Sequence, residues 1–257
     1  MDILRKELNE LYKAQHLETE SLDAGLLEEC RSAIMNSADV FNGCLVITEV
    51  GRDRCFIYSG SLSALIGWTD NPGLNIETDS SDEDFIYNTL HPADLPDKRM
   101  LEYEFLKKMN SLVGEEKTHY AAFCTIRIRN REGKYLWIDN STRIMKLSPA
   151  GNIWLILCSY DLAPSQHERQ GISPAISNLF TGETSALNFK ERRMRLLTSR
   201  EKEILGLIRA GKSSKMIAHS LGIRINTVNR HRQNILEKLD VANSYEAVAA
   251  ALSMNLI

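Results

Sequence analysis

The chain has 257 residues, 43% apolar and 25% charged, so its length favours two domains and its composition excludes collagen-like and wholly disordered classes. Its longest strongly apolar run, residues 153–158, falls far short of the ~18 residues that a bilayer span needs. The net charge of −3 conceals an asymmetry: residues 187–257 carry 13 Lys and Arg against 6 Asp and Glu, leaving 18 against 28 for residues 1–186, and a basic end on an acidic body points to a polyanionic partner.

Residues 2–20 are polar and helix-favouring, with Leu4, Leu8, Leu11 and Tyr12 on one stripe. Leu26, Leu27, Cys30, Ile34 and Met35 recur at three-to-four spacing and predict a second helix, so residues 1–39 read as N-terminal helices. Residues 44–48 and 55–58 are short apolar runs separated by Gly51-Arg52-Asp53-Arg54, a predicted hairpin. Turn formers dominate 70–84, which predicts a surface loop. Helical spacing returns over 93–112 through Leu101, Phe105, Leu106 and Met109. Cys124, Ile126 and Ile128 then alternate with Thr125, Arg127 and Arg129 as a half-buried strand. Turns at Arg131-Glu132-Gly133 and Ser148-Pro149-Ala150-Gly151-Asn152 predict further strands over 135–147 and 153–160. Strands that do not alternate with helices argue against a parallel-sheet phosphate receiver.

Two strands, a helical middle and three strands resemble a PAS domain over residues 40–162. Leu90-His91-Pro92-Ala93-Asp94-Leu95-Pro96 is similar to the element that precedes the family's long helix. Gly133-Lys134-Tyr135-Leu136-Trp137 is similar to a hairpin common there. The resemblance implies a five-stranded antiparallel sheet with helices on one face, acting as a sensor of a signal, for which a small-molecule ligand is a candidate, or as a protein-contact module. The cysteine-centred motif of flavin-adduct photosensors is not visible, and no cofactor is assigned.

His91 with Asp94 is read as a turn and helix start, Asp94 serving as a local cap, rather than as an acid–base pair. Cys30, Cys44, Cys55, Cys124 and Cys158 are odd in number and form no CxxC. They read as small buried thiols of a cytosolic protein rather than a disulfide framework or a zinc site. Trp68, Trp137 and Trp154 read as core aromatics. Residues 163–190 are rich in Pro, Ser, Gly, Asn and Thr and predict a linker, with a short helix at 175–180.

The last domain, residues 191–257, opens on Thr198 and Glu201, spaced as a capping box. Ile204, Leu205 and Ile208 make one apolar face, and Ala210-Gly211 ends that helix. A second helix starts near Ser213-Ser214 and presents Ile217, Ala218 and Leu221, with Gly222 for the tight turn. A third begins at 225–227 with Val228, Ile235 and Leu239 inward, and an alanine-rich fourth spans 244–253. Two short helices joined through a glycine turn form a helix-turn-helix, whose second member can lie in a DNA major groove. Its outward Asn226, Asn229, Arg230 and Gln233 suit base edges, because Arg can grip guanine while Asn and Gln can grip adenine.

Leu197-Thr198-x-Arg200-Glu201-x-Glu203-Ile204-Leu205, Gly211-x-Ser213-x-Lys215-x-Ile217-Ala218-x-x-Leu221-x-Ile223, Thr227-Val228-x-x-His231 and Lys238-Leu239-x-Val241 resemble the LuxR-type (GerE-like) domain. The resemblance implies a four-helix domain that binds double-stranded DNA as a homodimer, the fourth helix joining the dimer contact. Together, the outward helix face and the resemblance give Ser213, Lys215, Asn226, Thr227, Asn229, Arg230, His231, Gln233 and Asn234 as the expected DNA-binding set. Two positions depart from it: Asn229 stands where the family commonly has Lys, and Arg224 stands where a Ser usually caps the recognition helix.

The expected fold is therefore α+β, a PAS-like five-stranded antiparallel sheet with helices followed by an all-α four-helix helix-turn-helix domain. The expected function is a sequence-specific bacterial transcriptional regulator of the cytoplasm and nucleoid, with RNA polymerase as a further candidate contact and no membrane partner. The alternative is a sigma-factor-like or adaptor protein working through protein docking. No Walker loop, nucleophile elbow, HExxH or kinase signature is present, so neither catalytic residues nor a metal site are expected and the chain does not read as an enzyme.

Overall fold

Alternating and near-continuous apolar segments in the middle of the chain assemble into an antiparallel sheet, and the helical periodicity at its end closes a separate bundle. The computed structural model describes residues 3–69, 73–80, 83–189, 196–239, 241–254 and 256–257. Two compact units result, Leu8–Leu187 and Asn188–Ile257 with Met1–Glu7.

α1 (Ile3–Lys13) enters the first unit at Leu8, and α2 (Ala24–Phe41), β1 (Cys44–Glu49) and β2 (Arg54–Ser59) follow. Next come α3 (Leu62–Ile66), β3 (Leu74–Thr78), α4 (Asp84–Tyr87) and α5 (Leu95–Asn110). The strands β4 (Tyr120–Arg129), β5 (Tyr135–Leu147), β6 (Ile153–Leu162), β7 (Ala175–Asn178) and β8 (Thr184–Ala186) complete it. They form one sheet in the order β3-β2-β1-β6-β5-β4-β7-β8. The five expected strands occupy its centre, so the sheet-with-helices class stands, but among the described residues the strands number eight.

The three additional strands lie at the edges. β3 forms inside the expected loop and pairs with β2, Leu74 opposite Ser59 through Thr78 opposite Cys55. β7 and β8 lie in the expected linker, β7 pairing with β4 and β8 with β7. The helix expected at 175–180 is corrected by this pairing: residues 175–178 are strand, and Leu179 N donates to the His119 carbonyl at 2.7 Å. A four-residue run such as Ala-Ile-Ser-Asn has no period of its own, so the exposed edge of β4 decides its conformation.

α2 starts at Asp23, whose carboxylate accepts from the amides of Gly25 and Leu26. Leu27, Cys30, Ile34 and Ala38 are buried, and α2 packs on β1 and β2. The Arg31 Nε donates to Tyr58 Oη at 2.9 Å while the guanidinium sits 4.1 Å over the Phe56 ring. In α1, Leu8 is buried and Leu11 and Tyr12 are half-buried; the side chain of Leu4 lies outside the described residues. All five cysteines are buried free thiols, and burial pushes Cys124 up to about 12. Trp137 and Trp154 are buried, and Trp68 is half-buried.

Asp94 does not cap α5 with its side chain. Its carboxylate instead crosses to β4, accepting from Arg127 N at 2.9 Å, Nε at 3.0 Å and Nη2 at 2.5 Å. His91 supplies the local turn: its Nδ1 accepts from the Ala93 amide at 3.1 Å. The forked, charge-assisted pair outcompetes a single cap bond, since guanidinium and carboxylate match in plane and charge.

The second unit holds α6 (Ser199–Arg209), α7 (Ser214–Leu221), α8 (Ile225–Leu239) and α9 (Ser244–Ser253). Ile204, Leu205, Ile217, Ala218, Val228, Ile235, Leu239, Ala247, Ala250 and Ala251 are buried in it. Ile208 and Leu221 are only half-buried. The expected capping box is present: Thr198 Oγ1 accepts from Glu201 N at 3.2 Å, and Glu201 Oε2 accepts from Thr198 N at 2.8 Å. The same carboxylate takes Lys238 Nζ from α8 at 2.9 and 2.7 Å, tying the first helix of the unit to the third. Burial alone would raise the Glu201 carboxyl, but Lys238 and Thr198 outweigh it and hold it below its ordinary 4.5.

Two stability predictions follow from these carboxylates. Asp94→Ala strands a mostly buried guanidinium and is expected to cost about 2–4 kcal/mol in urea unfolding, discounted from a fully buried pair because Arg127 retains some exposure. Lys238→Ala leaves Glu201, 2% exposed, without its countercharge and is expected to cost about 1–3 kcal/mol. The sign with pH is fixed: a depressed folded pKa stabilises above the unfolded value and is lost as pH falls through the folded one. Unfolding free energies of wild type and Lys238→Ala therefore converge below pH 4.5. A gap that persists undiminished in acid refutes the assignment.

Candidate nucleic-acid interface

α7, the turn at Gly222 and α8 build a helix-turn-helix. Ser213 caps α7, its Oγ accepting from Met216 N at 3.3 Å. Gly222 closes α7 in the left-handed region at φ +63°, a conformation that any side chain would strain. α8 then starts on the Arg224 carbonyl, which accepts from the amides of Thr227 at 2.9 Å and Val228 at 3.2 Å. By helix geometry its first amides lack intrahelical acceptors, which leaves a donor-rich terminus suited to an anion.

α8 is sharply two-faced. Val228, Ile235 and Leu239 are buried, while Asn226, Thr227, Asn229, Arg230 and Gln233 are exposed. Ser213 and Lys215 are exposed at the start of α7. Gln233 is partly engaged already, its Nε2 donating to Glu237 Oε1 at 3.1 Å. His231 and Asn234 are half-buried, and His231 Nδ1 is buried without a hydrogen-bond partner. Seven of the nine expected side chains thus reach the surface fully, and two lie at its margin.

Arg232 fixes how this face is presented. Its Nη1 donates to Ser214 Oγ at 3.4 Å and its Nη2 to Ser244 Oγ at 2.8 Å, joining α8 to the starts of α7 and α9. Sequence reasoning missed that brace, since spacing carries no sign of which Arg points inward. It also left Lys212 and Arg224, both exposed on the turns that flank α7, out of the DNA-binding set. Their charge and turn positions were the available signal. Lys212, Lys215, Arg224 and Arg230 make the surface cationic, which suits phosphate oxygens, while planar Asn and Arg groups suit base edges.

α9 begins at Asn243, whose side-chain Oδ1 accepts from Tyr245 N and Glu246 N, both at 3.0 Å. Three residues of this alanine-rich helix, Ala247, Ala250 and Ala251, are 1%, 2% and 0% exposed. Small residues let α9 approach α6 and α8 closely. Tyr245, Ala249 and Leu252 face outward instead.

Among the described residues no group of three His, Cys, Asp or Glu is placed to hold a metal ion. No described helix is long and apolar enough to cross a membrane.

The family model for bacterial regulatory proteins of the luxR family matches residues 195–251. The monoamine regulon transcriptional regulator of Klebsiella aerogenes is 34% identical over 89 residues, covering 35% of this chain and 39% of that protein. The uncharacterized response regulatory protein YgeK of Escherichia coli is 48% identical over 60 residues, covering 23% and 41%. The chain therefore spans about two fifths of the length of these curated relatives. A solved structure of the Vibrio cholerae VqmA dimer aligns over 87% of this chain and 88% of its own, with 14% identity and a TM-score of 0.29, a likeness too low to bear on the architecture. The match to that family thus falls on the stretch of chain that holds the capped helices α6–α9 with the exposed polar face of α8.

Proposed function

We propose that the chain is a sequence-specific DNA-binding transcriptional regulator, in which residues 191–257 read duplex DNA and residues 40–162 receive a signal in a PAS-like domain, with 163–190 between them. The carrying observation is the division of α8 into a buried aliphatic face and an exposed Asn, Arg and Gln face, inside a LuxR-family domain. An adaptor that only docks to protein is less well supported, because its surface would not need this cationic, base-matching face. Double-stranded DNA is the partner, RNA polymerase is a further candidate contact, and the cytoplasm with its nucleoid is the site of action. No catalytic role is proposed.

Each side chain has a distinct job in this reading. Arg230 offers two parallel donors to guanine, and Asn226, Asn229 and Gln233 are placed for adenine or for phosphate. Lys215, Ser213 and Thr227 meet the backbone, which fixes register without reading sequence. His231 and Asn234 serve at the margin. Dimerisation is assigned to the exposed Tyr245 and Leu252 of α9 rather than to its buried alanines.

Selection of bound duplexes from a random library, followed by titration, tests the proposal. Arg230→Ala is expected to cost about 1–3 kcal/mol on the best site and to flatten preference at one base position. Lys215→Ala should weaken all duplexes alike and reduce the salt slope by about one unit. Full sequence preference in Arg230→Ala would place this helix face outside the groove.

Selected sites should be paired half-sites about 10–10.5 base pairs apart, and Tyr245→Asp with Leu252→Asp should reduce occupancy to one half-site. Full, cooperative occupancy by that double variant would remove α9 from the dimer.

A further inference from the structure

The sheet unit contains two neighbouring spaces that share one wall. The inner is a cavity of about 20 Å³ under the sheet, bounded by Leu8, Glu83, Glu102, Phe105 and Thr142 among others. The outer is a cleft of about 250 Å³ bounded by Asn9, Leu17, Val50 and Asp53 among others. Tyr12 of α1 lines both. The inner space admits a single water, whereas the outer approaches the size of an ordinary small-molecule site.

Each space is lined by a residue with a buried side-chain oxygen that accepts no hydrogen bond. Glu102 is 8% exposed; its Oε1 takes Lys98 Nζ at 2.7 Å and the Tyr87 hydroxyl, while its Oε2 accepts no hydrogen bond. Asn9, which lines the outer cleft, likewise has a buried Oδ1 that accepts no hydrogen bond. A buried acceptor without a donor is costly, so two of them flanking one tyrosine mark places where a donor is required.

The surrounding charge selects among donors. Lys98 and Arg99 already stand against Glu102, Arg99 Nη1 lying 3.7 Å from Oε2, so a further cation would be set against two others. An anion would be set against the carboxyl groups of Glu102 and Glu83, both of which line the cavity. Burial would raise Glu102, but Lys98 and Arg99 outweigh it and keep this acceptor ionised. Leu8 and Phe105 inside and Leu17 and Val50 outside give both spaces apolar walls.

We propose that Tyr12 is a gate between these two spaces, and that with its ring swung aside they merge into one site for an uncharged small molecule with an apolar middle and a hydroxyl or N–H donor at each end. One donor meets Glu102 Oε2 and the other meets Asn9 Oδ1. The backbone of α1 stays in place during the swing, because Gln15 anchors its end: Nε2 donates to Asn110 Oδ1 at 3.0 Å and Oε1 accepts from Ile153 N at 2.8 Å. The proposal deepens the signal-receiving role assigned to this domain and rests on that role only for its consequence.

Surface plasmon resonance on the immobilised full chain, without DNA, provides the test. The probes are 1,4-benzenedimethanol, its donorless analogue p-xylene, the p-xylylene diammonium ion and terephthalate. The diol is expected to bind at least tenfold tighter than the other three; equal or weaker binding, or none, overturns the proposal. Asn9→Ala, at a half-exposed position, should weaken the diol about tenfold while leaving 4-methylbenzyl alcohol unchanged, and parallel losses for both would overturn the two-donor assignment. Tyr12→Ala should speed diol association at least fivefold, and an unchanged rate removes the gate. Failure of these arms leaves the DNA-reading proposal intact. A diol that binds without altering duplex affinity counts against the signal-receiving role alone.

Discussion

Glu201 is the point on which the presentation of the polar face of α8 depends. A single carboxylate, nearly sealed from water, accepts the Thr198 amide at the start of α6 and the Lys238 ammonium near the end of α8. Such a group is favourable only while both donors are in position, since a buried charge stripped of partners costs more than the pair contributes. The rotation of α8 about its own axis is therefore tied to the cap of α6. That rotation decides whether Asn226, Arg230 and Gln233 face outward together.

The sheet unit shows the same economy in another form. Asp94 joins the start of α5 to β4, and Lys98 and Arg99 lie about one turn and Glu102 about two turns further along the same helix, all buried. Charged groups enter this interior in mutually compensating sets, while the thiols and aliphatic side chains fill the space between. Every such set leaves directional requirements behind. The unused oxygen of Glu102 is one of them, and it gives the cavity beside Tyr12 a chemical preference that an all-apolar core would lack.

In α9 the residues that look most suited to helix contact are consumed internally. Ala247, Ala250 and Ala251 let the helix settle into its own bundle, and the surface left over is formed by Tyr245, Ala249 and Leu252. Small side chains mark close approach in general and do not say which helix approaches. The large apolar groups that remain exposed are the better guide to a contact between copies.

The four helices of the C-terminal unit and most of their inward residues were legible in the sequence, because they are specified locally: Thr198 with Glu201, Gly222, and the spacing of Val228, Ile235 and Leu239. The Asn243 cap of α9 was not read, and Ile208 and Leu221 proved only half-buried. The five central strands were legible for the same reason, since alternation and turn residues lie within a few positions of one another. β3, β7 and β8 were not, because such short segments become strands only when a neighbouring edge offers its backbone groups. The partner of Asp94, the inward brace of Arg232 and the unused oxygen of Glu102 were decided by tertiary structure alone. Each depends on the distance and angle between side chains far apart in the chain, and a linear pattern contains neither.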